Sequence, residues 1–155
     1  MALKDNQKID LGMLRTVFTH MAINGTEYGL GAKAPSLTVD SINIHKIDCS
    51  GFTRYAIARA TDQKLIIPDG SVNQHDWCEE QGLHKVDYPN VAIADDSRLF
   101  IAFIPPAPSG HPGHVWFING GNTMESHGGV GVSTRHWDNP ILLHAVTACY
   151  ELPTA

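Results

Sequence analysis

One stretch of this 155-residue chain reads Ile47-Asp48-Cys49-Ser50-Gly51-Phe52-Thr53-Arg54-Tyr55. It puts a cysteine where a polar segment gives way to an apolar-periodic one. Helix N-termini carry unpaired N–H groups and partial positive charge, which favour thiolate over thiol. Cys49 is therefore a candidate nucleophile. A buried, inert cysteine at a helix end is the other reading, and these residues alone leave both open. Gly51 reads as a point where a substrate backbone can approach closely. A second stretch, Gly110-His111-Pro112-Gly113-His114-Val115-Trp116-Phe117-Ile118, opens an apolar strand with a histidine. A neutral imidazole held at a sheet edge is the usual partner that takes a proton from a cysteine nucleophile. Taken by itself, His114 is more ordinarily a surface residue at a strand end. The third stretch is Asn122-Thr123-Met124-Glu125-Ser126-His127. A Cys–His pair commonly has a polar third residue that fixes the imidazole tautomer. Glu125 and His127 are two apart, so a strand would point both to one face, and either can orient His114. Glu125 reads equally well as a solvated strand residue.

These residues need elements to carry them. Leu11, Leu14, Phe18 and Met21 recur at spacings of three and four, which predicts a helix over 10–23 with Asp10 as its cap. Residues 24–47, rich in Gly, Pro, Ser and Asn, read as a long loop. A second helix is expected over 50–61, with Phe52, Tyr55, Ala56 and Arg59 on one face. A third is expected over 71–81, with Ser71 as N-cap and Gly82 just past its end. The pattern then changes. Arg98–Ile104 is a continuous apolar run between Asp95-Asp96 and Pro105-Pro106, and reads as a buried strand. Residues 113–118 form a second strand, with His114, Trp116 and Ile118 on one face. Asn119-Gly120-Gly121 is a strong turn signal, and 122–127 returns as a third strand. Residues 141–151 are expected to be the last strand. Helices first and antiparallel strands later make an α+β layout, in one domain over 1–155.

Composition narrows the classes. A net charge of −5 with His neutral argues against a nucleic-acid binder and against a surface anchored to anionic lipid. No apolar run is long enough to span a membrane. Residues 1–8 lack the apolar stretch of a secretory signal, so the chain is expected to be made in a cytoplasm without an export signal. Cys49, Cys78 and Cys149 are too few and too scattered for a disulfide framework, and Cys78 and Cys149 read as buried packing residues. No CxxC pair suggests a thiolate zinc site. His111-x-x-His114 with Glu125, His127 and His136 offers a His-rich metal site, and a metal-dependent hydrolase is the alternative enzyme class. No His-Glu-x-x-His helix supports it.

In combination, Asp48-Cys-Ser-Gly-Phe52, the Gly113-His-Val-x-x-Ile118 strand, a Gly/Asn turn and a short polar-bearing strand ending in Gly-Val resemble the NlpC-type family of bacterial cell-wall cysteine peptidases. The resemblance spans 12–137. Ser71-Val-Asn-Gln74 followed by Trp77 and Gly82, the Leu99–Phe103 strand, and Tyr28-Gly-Leu-Gly31 add to it. Ser97-Arg98 stands where the family usually has Gly-Asp, and the loop between Tyr28 and Cys49 is longer than in the shortest members. Glu125 falls where the family often has histidine, with His127 two beyond.

The resemblance implies a papain-like core with N-terminal helices packed on an antiparallel β-sheet. It implies hydrolysis of a peptidoglycan stem-peptide amide, commonly the bond between γ-D-glutamate and the diamino acid. Cys49 would be the nucleophile, His114 its base, and Glu125 the third residue with His127 as the alternative. Tyr28 and the Cys49 N–H would hold the oxyanion, and Asp48 and Ser50 would contact substrate. No metal or organic cofactor is implied. An amidase cutting the sugar–peptide link is the nearest competitor, and a wall-binding module on a degenerate peptidase fold is the non-enzymatic one. A single small catalytic domain fits a phage lysis or tail enzyme. It also fits an antibacterial effector injected by a contractile secretion system, which is slightly favoured. Such a toxin would act in the periplasm and need an immunity protein to plug its cleft.

Overall fold

The computed structural model describes residues 3–88 and 95–155. Helix α1 spans Leu11–Asn24. Asp10 caps it by accepting a hydrogen bond from the Met13 N–H, and Gly25 closes it at φ 74°. Leu14, Val17 and Met21 bury one stripe of α1. Helix α2 spans Cys49–Ala60, and all its residues except Arg54 and Arg59 are buried. A helix buried nearly all round is a core helix, and α1 packs directly on it. Helix α3 spans Ser71–Glu80. Its N-cap is Gly70, with no side-chain cap, so Ser71 is the first helical residue and not the cap expected of it. Gly82, at φ 65°, lies just past the end as expected.

The polar segment after α1 is not only a loop. Two two-residue strands, β1 (Glu27–Tyr28) and β2 (Lys46–Ile47), pair in parallel across it, with Tyr28 beside Ile47. Strands this short carry no alternation to read. The main sheet is antiparallel. It contains β3 (Leu99–Ile104), β4 (His114–Asn119), β5 (Asn122–His127), β6 (Gly131–Ser133) and β7 (Ala148–Leu152), in the order β6-β5-β4-β3-β7. Leu99, Ile101, Phe103, Val115 and Phe117 face the cluster formed with α1 and α2. Phe100, Ala102, Trp116 and Ile118 face a second cluster with Tyr88 and Leu142. Both faces are covered, which is why the β3 run is continuously apolar.

The last segment departs from expectation. Residues 141–151 are not one strand: Asn139 accepts from the Ile141 N–H and Pro140 sits in the first turn of helix α4 (Pro140–Ala145). Asn followed by Pro is a helix start, and it overrides the apolar run. Only β7 is extended. Gly131 decides where β6 lies. Its φ is 96°, and a Cβ there would stand 2.3 Å from the Thr26 carbonyl oxygen. The glycine lets β6 press against the strand that carries Tyr28, and the Val132 N–H donates to that same oxygen at 3.0 Å.

Candidate active site

The start of α2 is built around Asp48. Its Oδ1 accepts from the Gly51 N–H at 2.7 Å, which caps the helix and places Cys49 at the first helical position. There the backbone N–H has no intrahelical acceptor and meets the positive end of the dipole. Lys33 Nζ donates to Asp48 Oδ1 and Oδ2 at 2.8 and 2.7 Å and to Ser50 Oγ at 3.0 Å. It also pairs with Asp69 at 3.0 Å. Asp48 and Ser50, read from sequence as substrate contacts, are both buried and engaged with the chain's own lysine. Gly51 is buried too. A Cβ there would lie 2.8 Å from Asp48 Oδ1 and 3.1 Å from the Ala32 oxygen, so the close approach is to the chain's own loop and not to a substrate.

Two hydrogen bonds register α2 against the sheet and loop. Ser126 Oγ donates to the Ile47 carbonyl at 2.8 Å, and the Asp48 N–H donates to the Ala32 oxygen at 2.8 Å. They bring Cys49 to the N-terminal end of β4, where His114 stands. The imidazole stacks on Trp116, two residues on, at 5.3 Å between centroids and 19° between planes. His114 Nε2 donates to Glu125 Oε1 at 2.6 Å, which leaves Nδ1 as the nitrogen available toward Cys49. Burial pulls the His114 pKa down, but a side-chain hydrogen bond with Cys49 and another with Glu125 outweigh it, so the imidazole holds its proton more tightly than usual.

Glu125 is fully buried. Burial by itself would raise its pKa. Hydrogen bonds from His114, Arg135 and Thr123, with the charge on His114, hold it down to about 2. Arg135 donates through Nε to Oε2 at 3.1 Å and through Nη2 to Oε1 at 2.5 Å. Thr123 Oγ1 donates to Oε2. His127 is half-buried, and its pKa is lowered first by burial and then by the Arg135 charge. Among the described residues it makes no hydrogen bond with His114, so the structure brings Glu125 and not His127 to the imidazole. Tyr28 lies near Cys49: partial burial and then the charges of Cys49 and Asp48 raise its phenol pKa. A cleft of about 320 Å³ is lined by Tyr28, His111, His114, His127, Arg135 and Ile141, among others. Cys49, 8% exposed, lies near Tyr28 and His114.

Cys149 and Cys78 are buried away from this site, and burial pushes both thiols up, that of Cys149 to about 12. Among the described residues, no group of three or more His, Cys, Asp or Glu side chains is placed to hold a metal ion. The His-rich arrangement suggested by spacing is therefore not assembled. Arg135 and Thr123 were not picked out from sequence. Thr123 shares a strand face with Glu125, and that signal was legible. Arg135 carried none, because only the return of the chain past β6 brings it back to β5.

No protein-family model matches the chain, and no curated protein matches it. Among solved structures, the chain is similar to an NLP/P60 family protein from Staphylococcus aureus described as similar to lipoprotein. That likeness has a TM-score of 0.61 and 13% identity, and covers 100% of this chain but 44% of that one. It is also similar to the P60 domain of an antigen from M. avium subspecies paratuberculosis (TM-score 0.54, 23% identity, 92% and 94% of the two chains). A third likeness is to the peptidoglycan hydrolase RipB from Mycobacterium tuberculosis (TM-score 0.50, 21% identity, 93% and 68%). The chain thus spans under half the length of the first of these. The fold is of the NlpC/P60 type: helices packed on a five-stranded antiparallel sheet.

Proposed function

We propose that this chain is a peptidoglycan hydrolase that cleaves a stem-peptide amide by cysteine catalysis, with the γ-D-glutamyl–diamino acid bond as its target. One observation carries the reading. A cysteine at the first position of a buried helix stands close enough to a histidine to raise that imidazole's pKa, and the histidine's Nε2 is 2.6 Å from a buried carboxylate. This line lies in a fold shared with a peptidoglycan hydrolase.

The geometry supports the following chemistry. Glu125 accepts the Nε2–H of His114, so Nδ1 faces the thiol and takes its proton. The thiolate attacks the carbonyl carbon, forming a C–S bond and pushing charge onto oxygen. The Cys49 N–H, aided by Tyr28, stabilises that oxyanion. His114 then gives the proton to the departing amine as the C–N bond breaks. Next it takes one from water, which attacks the thioester and releases the acid and the thiolate. No metal or organic cofactor enters these steps.

Digestion of defined muropeptides followed by mass analysis tests the proposal. A product with a new amino group on the diamino acid supports it. A product cut between the sugar and the first alanine would make the chain an amidase of the same fold. Cys49→Ala is expected to abolish release of new amino groups without loss of helical signal, and full activity in that variant would refute the nucleophile. The setting is read as a phage enzyme or an effector countered by an immunity protein. Expressing the chain with and without an added export signal tests that reading, and equal harmlessness in both would count against it.

A further inference from the structure

Arg135 moves no proton and forms no bond in the steps above, yet among the described residues it makes two of the four hydrogen bonds to the Glu125 carboxylate. A carboxylate offers about four lone-pair sites. Here Oε1 accepts from His114 Nε2 and Arg135 Nη2, while Oε2 accepts from Arg135 Nε and Thr123 Oγ1. All four are occupied, so the group cannot turn or take a proton without breaking a contact. The guanidinium is anchored through its own backbone. The Thr123 N–H donates to the Arg135 oxygen at 2.8 Å, and the Arg135 N–H donates to Thr123 Oγ1 at 2.8 Å.

The arrangement has an electrostatic consequence as well. A buried carboxylate alone against an imidazole would favour the imidazolium strongly. His114 would then give up its proton to the leaving amine reluctantly. A guanidinium sharing the same oxygen offsets part of that field. Arg135 Nη2 itself stands 3.5 Å from His114 Nε2. Among the described residues, the other titratable groups near this pair are Cys49 from α2, His127 from β5, Tyr28 from β1, His111 before β4, and Tyr88, whose phenol feels the charges of Glu125 and Arg135. Asp48, which caps the helix bearing Cys49, is already paired with Lys33.

We propose that Arg135 is a positioning residue that, with Thr123, keeps Glu125 ionised and in the plane that fixes the His114 tautomer, and whose charge limits how tightly His114 holds its proton. This rests on the reading of Cys49, His114 and Glu125 as the catalytic line.

The test compares wild type, Arg135→Met and Arg135→Lys by two assays. The first is the pH dependence of Cys49 alkylation by iodoacetamide, which needs no peptidoglycan. The second is turnover of a soluble muropeptide. In Arg135→Met, the inflection belonging to His114 is expected to move up by about one pH unit, as for loss of one nearby cation. Arg135→Lys keeps the charge but not the fork. Its inflection should stay near wild type while kcat falls about tenfold at unchanged KM. An unmoved inflection in Arg135→Met, or equal behaviour of the two variants, would overturn the proposal. Should Arg135→Met fail to fold, the kcat-against-KM split in Arg135→Lys decides. If wild type leaves muropeptides intact while the alkylation profile still shifts, the hydrolase reading fails and the positioning role stands. If wild type digests them and neither variant differs from it, the reverse holds.

Discussion

Replacing Asp48 by alanine separates two roles for the residue before the cysteine. Read by resemblance, it contacts substrate. In the structure it caps α2 and binds Lys33. Losing a side-chain N-cap costs about 1 kcal/mol. The Lys33 pair, with side chains 34% and 9% exposed, adds at most about 1 kcal/mol. Lys33 would keep Asp69 and Ser50, so no charge is stranded. The sum is about 2 kcal/mol, which for a chain of this size lowers Tm by about 4–8 °C. Asp48→Asn keeps an acceptor for the Gly51 N–H and loses only the charge, so it should fall about half as far. Circular dichroism melts measure both, and iodoacetamide labelling reports whether Cys49 keeps its reactivity. An Asp48→Ala protein that melts with wild type but shows a raised KM would refute the cap argument and restore the substrate contact.

Other expectations follow from the same geometry. Gln74 is fully buried, accepts from Thr53 Oγ1 at 2.6 Å, and donates to the Ser50 and Pro68 carbonyls at 2.9 and 3.1 Å. Gln74→Leu should cost about 2–4 kcal/mol, seen as a lower urea midpoint at unchanged slope, and no shift would show these groups to be satisfied otherwise. Gly131→Ala puts a Cβ on the Thr26 oxygen at a φ of 96°, and should destabilise by about 2–4 kcal/mol by urea unfolding and slow turnover by displacing Tyr28. The His114–Glu125 pair sets a pH window. Glu125 is held at about 2, below its ordinary 4.5, so its contribution is complete above 4.5 and drains as pH falls toward 2. The His114 pKa is raised from 6.5, so its contribution is complete below 6.5 and is lost as pH rises through the raised value. Tm against pH should therefore show a shared plateau from 4.5 to 6.5 that is reduced in Glu125→Gln; identical profiles would discard the pair as a stabiliser.

Much of the scaffold was legible in local pattern. The stripe of Leu14 and Met21, the cap at Asp10 and the Asn119-Gly120-Gly121 turn each declare an element within a few residues, and each element is present. The errors lie where pattern is weakest. Strands β1, β2 and β6 are two or three residues long and hold only through their partners, so no periodicity announces them. The Asn139-Pro140 start of α4 was local and readable, but the apolar residues after it masked it.

The sequence by itself determined which groups are available: a thiol at a helix start, an imidazole at a strand start, and a strand bearing both Glu125 and His127. Those follow from spacing and capping, which act over a handful of residues. Only the tertiary structure decided among them. It chose Glu125 over His127 by placing one carboxylate oxygen 2.6 Å from His114. It turned Asp48 and Ser50 inward to Lys33, and it brought Arg135 across from beyond β6. These outcomes depend on contacts between residues far apart in the chain. The reason is that a buried charge must find partners wherever the fold delivers them, and local pattern carries no record of that delivery.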